Sequence, residues 1–319
     1  MMTNASKAPA PGAAGMQARW LPPAAARPEG GRASRMALGA AVARATHHRY
    51  DSPRVFDDPY AFDMLYGHWR WVVASRFLDW LVLRKALNVM RPVYGQVVAR
   101  SRFSEDALHA AIARGVRQYV IVGAGLDTFA LRAGPSAAAL RIFELDHAAS
   151  QALKRRLIDR IGGAPAIVEY VAADLESESV SAALARSGFD PGRPAFFSWL
   201  GTTYYLSEPA VLATLQSIAE NAAAGSEVVF DFCVPEASLG GRDRDELAAL
   251  KRFVARRGEP FVSCFLPAQL AANVFPHGLE VIENASPDRL EQRYFSGRTD
   301  GFRPSRFAWV AHMRVRQRG

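Results

Sequence analysis

The segment Tyr119-Val-Ile-Val-Gly123-Ala-Gly125-Leu-Asp127-Thr128 decides the fold predicted for this chain. A short apolar run that ends in two glycines and continues into a helix-compatible segment is typical of the first strand and nucleotide-binding turn of an α/β domain. Because glycine has no Cβ, the main chain can bend sharply there and a ligand can pack directly against it. The segment therefore predicts a ligand beside Gly123 and Gly125.

Position 128 narrows the class of ligand. A dinucleotide-binding G-x-G-x-x-G/A turn needs a third small residue so that a helix N-terminus can approach the pyrophosphate, and this chain has Thr128 instead. The lysine of a G-x-x-x-x-G-K-[ST] phosphate loop is also missing. A nucleoside ligand without a phosphate bridge, such as S-adenosylmethionine, needs only the close approach to the glycines. A tight strand-to-helix turn without a ligand remains the alternative.

Composition and charge limit the partners that we expect. With 319 residues, 50% of them hydrophobic, one large α/β domain with a helical extension is the preferred interpretation over two smaller domains. The formal net charge of +8 lies mostly at the two ends, since residues 1–36 carry five basic residues against one acid and the last six residues carry three arginines. The remainder is nearly neutral, so we predict no nucleic-acid partner.

The cysteines and the apolar segments indicate a compartment. Only Cys233 and Cys264 are present, far apart and outside any C-x-x-C pattern, so we expect neither disulfides nor a metal site, and a reducing cytoplasm is the predicted location. Charged residues interrupt the most apolar helical region, 69–90, so we expect no membrane span and no membrane partner. The oligomeric state is left open.

Apolar runs alternate with helix-like segments from residue 104 onward, which predicts a parallel sheet covered by helices on both faces. The predicted helices are 104–114, 148–161, 177–187, 208–223, 243–257 and 266–274. The predicted strands are Tyr119–Val122, Arg141–Leu145, Ile167–Val171, Ala195–Leu200, Glu227–Phe232, Leu279–Asn284 and Phe307–Met313.

The connection before the last strand predicts its direction. No helix-length pattern is evident there, and residues 293–305 are polar and contain two glycines and a proline. A loop cannot provide the crossover between parallel strands, so the seventh strand should run antiparallel. This is the Rossmann-like, seven-stranded arrangement of a class I methyltransferase fold.

The predicted domain organisation follows from these elements. Residues 1–35 form a disordered basic tail, 36–103 a helical cap, and 104–315 the catalytic domain, followed by a short tail at 316–319. A lid-like insertion is predicted at 233–278. The cap should cover the carboxyl edge of the sheet, and most of its aromatic residues are expected to pack onto the core.

Acidic residues lie at the ends of two of the predicted strands. Asp146 and Glu144 lie 21 and 19 residues after Gly125, a spacing that suits a carboxylate accepting both ribose hydroxyls, with Asp146 preferred. Asp174 follows the third strand and could accept from an adenine amino group, while the N–H of Leu175 meets a ring nitrogen. The alternative is that these acids only solvate strand ends.

Three segments resemble the leucine carboxyl methyltransferase family, particularly its bacterial branch. They are Gly123-Ala-Gly-Leu-Asp-Thr128, Phe143-Glu-Leu-Asp-His147 leading into Gln151–Arg156, and Ala99-Arg-Ser-Arg-Phe103. The resemblance extends from about Arg35 to Val315. It departs at Phe129, where many bacterial relatives have arginine.

The resemblance implies S-adenosylmethionine as methyl donor and O-methylation, in founding members of a carboxylate. The arginine that holds the methionine carboxylate in the family falls on Arg100, whose planar guanidinium suits that task. Arg102 is the second choice. The residues expected to contact the cofactor are Arg100, Gly123, Ala124, Gly125, Asp127, Thr128, Glu144, Asp146, Asp174, Leu175 and Trp199.

The fourth strand and its exit should border the acceptor, a small molecule. Trp199 could place an aromatic face beside the sulfonium, or belong to the core. Tyr204 and Tyr205 are the candidates for orienting an oxygen nucleophile. A carboxylate is preferred over a hydroxyl because it needs no general base. The alternatives are an NAD(P)-dependent oxidoreductase and a non-catalytic domain that binds S-adenosylmethionine.

Overall fold

The carboxyl ends of five parallel strands form the edge of the sheet where ligands are expected. A computed structural model describes residues 33–134, 139–163, 168–175, 177–256 and 260–317. Within these ranges the strands form one sheet in the order β3-β2-β1-β4-β5-β7-β6. The strands are β1 Gln118–Val122, β2 Arg141–Asp146, β3 Val168–Ala172, β4 Ala195–Trp199, β5 Glu227–Cys233, β6 Leu279–Ala285 and β7 Ala308–Val315.

All seven predicted strands are confirmed, with ends that shift by at most two residues; position 167 of the third prediction lies outside the described residues. β7 pairs antiparallel with both β5 and β6, as predicted. Every residue of β1, β4 and β5 is buried, because helices cover both faces of the sheet. The order changes direction between β1 and β4, which is where an open α/β sheet forms its ligand crevice.

The helices fall into three groups along the chain. Before the sheet lie α1 Ala33–Tyr50, α2 His68–Ala74, α3 Arg76–Asp79, a π-helix at Trp80–Ala86, a 3₁₀ turn at Asn88–Met90 and α4 Arg91–Ala113. Between the strands lie α5 Phe129–Arg132, α6 Ala148–Asp159, α7 Val180–Leu184 and α8 Glu208–Asn221. After β5 come 3₁₀ turns at Glu236–Ser238 and Phe275–His277 with α9 Gly241–Ala255, α10 Pro267–Val274 and α11 Pro287–Tyr294.

The predicted boundary between cap and catalytic domain, at 103/104, is wrong. It falls inside α4, which runs unbroken for 23 residues from Arg91. Pro92 occupies the first turn, where proline is tolerated, and no helix-breaking residue interrupts the later turns apart from Gly95. At Gly95 a Cβ would lie 1.9 Å from the carbonyl oxygen of Arg303, so this glycine serves close packing of two segments.

The prediction that no helix lies between the last two strands is also wrong. α11 occupies Pro287–Tyr294, and its start carries recognisable signals: the Ser286 hydroxyl accepts from the Arg289 N–H at 3.2 Å, and Pro287 follows the cap. The helix does not produce a parallel crossover, because it is short and leads back to β7 beside β6.

The N-terminal helices pack on the glycine turn as a separate apolar layer. The cluster around Ala41, Met64, Leu65 and Leu83 includes Leu126 of the turn. Helix α1 begins at Ala33, so the last three residues of the predicted tail 1–35 are helical; residues 1–32 and 318–319 lie outside the described residues. Among the cap aromatics, Tyr60, Phe62, Tyr66 and Trp69 pack against this layer as expected.

Candidate functional site

The glycine turn after β1 has the sharp bend that its sequence predicts. Gly123 and Gly125 have φ angles of 67° and 49°, in the left-handed region that favours glycine. The N–H groups of Gly123 and Ala124 both donate to the carbonyl oxygen of Leu145, at 2.9 and 3.0 Å. The turn is therefore fixed to the end of β2, the neighbouring strand.

Neighbouring side chains also leave no room for a Cβ at either glycine. A Cβ on Gly125 would come within 2.8 Å of the Ala37 Cβ, and a Cβ on Gly123 within 2.9 Å of the Thr202 Cγ2. Helix α1 thus closes over one side of the turn and the exit of β4 borders the other. Ala37 was not predicted, because nothing local marks an alanine as a contact of a distant turn.

Asp146 lies where the spacing predicts it, at the end of β2 beside the turn. It is 5% exposed, and its Oδ2 accepts from the Gly125 N–H at 2.6 Å while Oδ1 accepts from the His147 N–H at 2.7 Å. An ionised carboxylate can accept about four hydrogen bonds. Two lone pairs therefore remain for a pair of hydroxyl donors, and no cation pairs with Asp146 in the described residues.

The prediction that Glu144 contacts the cofactor is wrong. Its side chain is 1% exposed, and the Lys154 ammonium of α6 donates to its Oε2 at 2.6 Å. Burial raises the pKa of Glu144, against the attraction of Lys154. Glu144 lies one pleat deeper than Asp146 on the same face of β2, so helix α6 covers it.

Asp174 and Leu175 follow β3 at the same edge of the sheet. The Asp174 side chain is half exposed, and its Oδ1 lies 3.9 Å from the His147 Nε2. Leu175 is partly buried against the core. The pair has the exposure that an adenine contact requires, and that contact stays a prediction.

Thr128 has a structural role, which corrects the expectation of a cofactor contact. Its side chain is buried, and the hydroxyl donates to Asp58 Oδ2 at 2.7 Å while it accepts from the Arg132 Nε at 3.1 Å. Asp58 also accepts from Arg44 at 2.8 Å. Burial opposes the ionisation of Asp58, but the charges of Arg44 and Arg132, together with these hydrogen bonds, outweigh it and hold the pKa of the carboxyl below its usual range. Thr128 therefore fastens the turn to the N-terminal layer.

Asp127 and Phe129 complete this turn. The Asp127 Oδ1 accepts from the Phe129 N–H at 2.7 Å, which starts helix α5. Phe129 packs edge-on against Tyr119 with ring centroids 4.9 Å apart. The departure from the family pattern at position 129 thus places an aromatic ring in the core beneath β1.

Arg100 reaches the carboxyl edge from helix α4, at the ends of β4 and β5. Its side chain is 11% exposed, and Nη1 donates to Asp231 Oδ2 at 2.6 Å. The guanidinium packs against Gly201, where a Cβ would come within 2.4 Å of Nη2. Gly201 has a φ of 80°, so both its conformation and its lack of a side chain are needed here.

Asp231 was not singled out from the sequence, yet it organises this half of the edge. It is fully buried; Oδ1 accepts from the Gly201 N–H at 2.7 Å, and Oδ2 accepts from the Tyr204 hydroxyl as well as from Arg100. Its carbonyl oxygen accepts from the Thr203 hydroxyl. An aspartate in the middle of an apolar strand, Val228-Val-Phe-Asp231-Phe, was the available signal.

The roles predicted for Tyr204 and Trp199 need correction. The Tyr204 hydroxyl is bound to Asp231, and burial, reinforced by that carboxylate, raises the pKa of Tyr204 well above its usual range. Trp199 is 1% exposed and packs on Phe230, so it belongs to the core. Tyr205 is half-buried beside Phe261, and a role in positioning the acceptor stays a prediction.

The crevice has two halves, one at the ends of β1 and β2 with Asp146 and one at the ends of β4 and β5 with Arg100. Thr202 lies between them and indicates whether a ligand fits there. Its Oγ1 is buried beside Gly123 and has no hydrogen-bond partner among the described residues. A buried hydroxyl without a partner costs free energy unless a water or a ligand pairs with it. With Asp146 on one side and Arg100 on the other, the donor and acceptor set suits a nucleoside that carries an amino-acid tail.

The described part of the chain contains neither a cluster of metal ligands nor a helix that could span a membrane. No group of three or more His, Cys, Asp or Glu side chains there is arranged to hold a metal ion. None of its helices combines the length and the apolar character needed to cross a bilayer.

Comparisons with known proteins identify the family of the chain. A family model described as leucine carboxyl methyltransferase matches residues 37–219. YktD of Bacillus subtilis, a candidate S-adenosyl-L-methionine-dependent methyltransferase, is 30% identical over 280 residues, which cover 82% of this chain and 91% of that protein. A similarly described protein of Frankia alni is 32% identical over 225 residues, or 68% of this chain and 69% of its own.

Solved structures agree in fold. The crystal structure of a candidate methyltransferase from Thermobifida fusca superposes with a TM-score of 0.53 at 14% identity, covering 87% of this chain and 94% of that one. The chain therefore belongs to the leucine carboxyl methyltransferase family and is a methyltransferase that uses S-adenosylmethionine.

Proposed function

We propose that the protein transfers a methyl group from S-adenosylmethionine to a carboxylate oxygen of a small molecule. The observation that carries this proposal is that three ionisable groups around the exit of β4 are already paired with one another. Arg100 and Tyr204 both donate to Asp231, and because a guanidinium has five N–H donors, further donors of Arg100 remain for a ligand. None of the three groups is available to remove a proton from an alcohol or phenol.

The nearby thiol supports the same choice of acceptor. Cys233 ends β5 and is buried, and burial raises the pKa of its thiol well above the usual range. It therefore stays protonated and is a poor base at neutral pH. A carboxylate acceptor arrives ionised and needs no base, whereas a hydroxyl acceptor would require one.

The two halves of the crevice would hold opposite ends of the cofactor. The open lone pairs of Asp146 would accept from the ribose hydroxyls, and Asp174 with the Leu175 N–H would meet the adenine. Arg100 would bind the methionine carboxylate, and Thr202 Oγ1 offers a further hydrogen-bonding group beside Gly123. When bound, S-adenosylmethionine supplies an activated methyl group on a sulfonium.

The contribution of the protein to the reaction would be alignment. Because a carboxylate acceptor is already ionised, the residues of the crevice would need only to hold its oxygen against the bound methyl donor, and no side chain would have to move a proton. Fixed positions for both reactants lower the barrier of such a transfer. Helix α1 over Gly125 and the exit of β4 are placed to exclude water.

The interpretation as a dinucleotide-dependent oxidoreductase is not supported. Helix α5, which follows the glycine turn, has only four residues, and Thr128 points away from the crevice toward Asp58. Neither feature provides the pyrophosphate site that a dinucleotide requires.

A chemical test distinguishes the acceptor types. The protein is incubated with methyl-labelled S-adenosylmethionine and paired libraries of carboxylic acids and phenols. A methyl ester releases volatile labelled methanol in dilute alkali, whereas a methyl ether does not. We expect alkali-labile label; alkali-stable label would overturn the carboxylate assignment, and cofactor binding without any labelled product would favour the non-catalytic alternative.

A further inference from the structure

The strongest unexplained surface lies on the helices between α1 and α4. Three aromatics of the cap are exposed: Trp71 is 76% exposed, Phe77 65% and Trp80 46%. Leu81, next in sequence, is 41% exposed. Trp71 and Phe77 are the two most exposed large apolar side chains in the described part of the chain, so no described residue covers this surface.

These side chains lie close together along the chain, on two helices that contact each other and on the π-helix that follows. The Phe77 and Trp80 rings lie with centroids 6.4 Å apart, and the Lys85 ammonium lies 5.3 Å from the Trp80 ring centroid. Helices α2 and α3, which carry Trp71 and Phe77, are in contact across a bend at the extended residue Ser75. We call Trp71, Phe77, Trp80, Leu81, Arg76 and Lys85 the aromatic–basic face.

The charge of the face identifies its partner. Arg76 and Lys85 are exposed and pair with no carboxylate among the described residues. Residues 71–85 contain one acid, Asp79, which is 1% exposed and is bound to Arg84 and Thr46. The exposed part of the segment therefore carries only positive charge.

We propose that the aromatic–basic face binds the surface of a membrane that contains anionic lipids. Tryptophan and phenylalanine beside lysine and arginine are the residues that favour the boundary between headgroups and acyl chains. Anionic headgroups attract exposed basic side chains. The proposal revises the expectation of no membrane partner, which rested on the lack of a spanning segment alone.

The positive charge of the face disfavours two other partners, residues 1–32 of this chain and a second copy of the protein. The tail at residues 1–32 carries four basic residues against Glu29 and would be repelled from the face. A second copy related by a twofold axis would bring like charges together.

The test compares binding to vesicles of phosphatidylcholine alone with binding to vesicles that contain phosphatidylglycerol as a third of the lipid. The full-length protein is used throughout, so that the tail contributes equally to every variant. The triple variant Trp71→Ser/Phe77→Ser/Trp80→Ser removes the aromatic rings. The matched control is Val262→Ser/Phe275→Ser, which removes side chains that are 55% and 53% exposed on other segments.

We expect wild type and control to co-sediment with the anionic vesicles and the triple variant to bind them at least tenfold more weakly, while all three keep the same affinity for S-adenosylmethionine. Arg76→Glu/Lys85→Glu should lose the preference for anionic lipid. Equal vesicle binding by triple variant and control would overturn the proposal. So would a lack of wild-type binding together with a dimer that the triple variant dissociates, since the face would then join two copies.

Discussion

Asp146 at the end of β2 and Asp231 in β5 are both buried carboxylates at the same edge of the sheet, and their partners differ. Asp146 accepts from two main-chain N–H groups and pairs with no cation of the described residues. Asp231 is bound by a guanidinium, a phenol and a main-chain N–H. The partners of an acid at the end of a strand, and not its position alone, therefore decide whether the acid can bind a ligand or only position other groups.

The largest loss of S-adenosylmethionine affinity should come from a substitution in the glycine turn. Gly125→Val introduces a side chain at a φ of 49° with its Cβ 2.8 Å from Ala37, so we expect S-adenosylmethionine affinity to fall more than 100-fold in calorimetry. Gly225→Val is the control, since Gly225 has a φ of 84° with nothing within 4 Å of its Cβ position. A similar loss in both variants would show that backbone strain, and not the crevice, causes it.

The next effect tests the open carboxylate. Asp146→Ala should weaken both S-adenosylmethionine and 5′-methylthioadenosine, which lacks the amino-acid tail, because both carry the ribose. A charge-assisted hydrogen bond contributes about 1.5–3 kcal/mol, or roughly tenfold to 100-fold in affinity. Glu144→Gln should lower the melting temperature and leave both affinities unchanged; reversed results would exchange the roles of these two acids.

A substitution of Asp231, the carboxylate paired with Arg100, should weaken the binding of S-adenosylmethionine selectively. Asp231→Asn releases Arg100, so we expect about a tenfold loss for S-adenosylmethionine and less than a twofold change for 5′-methylthioadenosine. Glu227→Gln is the matched control, because Glu227 lies on the same strand and is also buried and ion-paired, with His312 and Arg114. An equal loss for both ligands would assign Asp231 a purely structural role.

The smallest effect concerns stability at the amino end of β5. Burial opposes the ionisation of Glu227, but hydrogen bonds from His312 and Arg114 outweigh it and hold the pKa of Glu227 below its usual range. A lowered pKa stabilises the folded state above the unfolded pKa, and this stabilisation is lost as the pH falls through the folded pKa. The stability difference between wild type and Glu227→Gln in urea should therefore be present at pH 7 and shrink below about pH 4. A difference that grows in acid would contradict this sign.

Much of the sheet could be predicted because its signals are local. A buried parallel strand is an apolar run that ends at a turn residue, and each predicted strand has that form. Gly123 and Gly125 were recognisable because their conformation excludes other residues, and Asp146 because it directly ends a strand. The helix at Pro287–Tyr294 carried local signals as well, in its Ser-Pro start, and could have been found from them.

The side-chain partners could not be predicted, since they come from distant parts of the chain. Asp231 lies 131 residues from Arg100, and Asp58 lies 70 residues from Thr128. Glu144 and Asp146 stand two residues apart on one face, so nothing local shows that helix α6 covers the first and leaves the second at the crevice. Whether a cap aromatic is buried depends on which other side chains the folded protein brings next to it.

The sequence by itself determined the order of the strands along the chain, the bend at the glycines and the acid beside it, because these follow from apolar periodicity, backbone sterics and chain distance. Only the tertiary structure decided which carboxylates stay open, which hydroxyl lacks a partner and which aromatic rings remain exposed. Those properties depend on desolvation and pairing between groups that meet only when the sheet, the helices that cover it and the N-terminal layer have assembled.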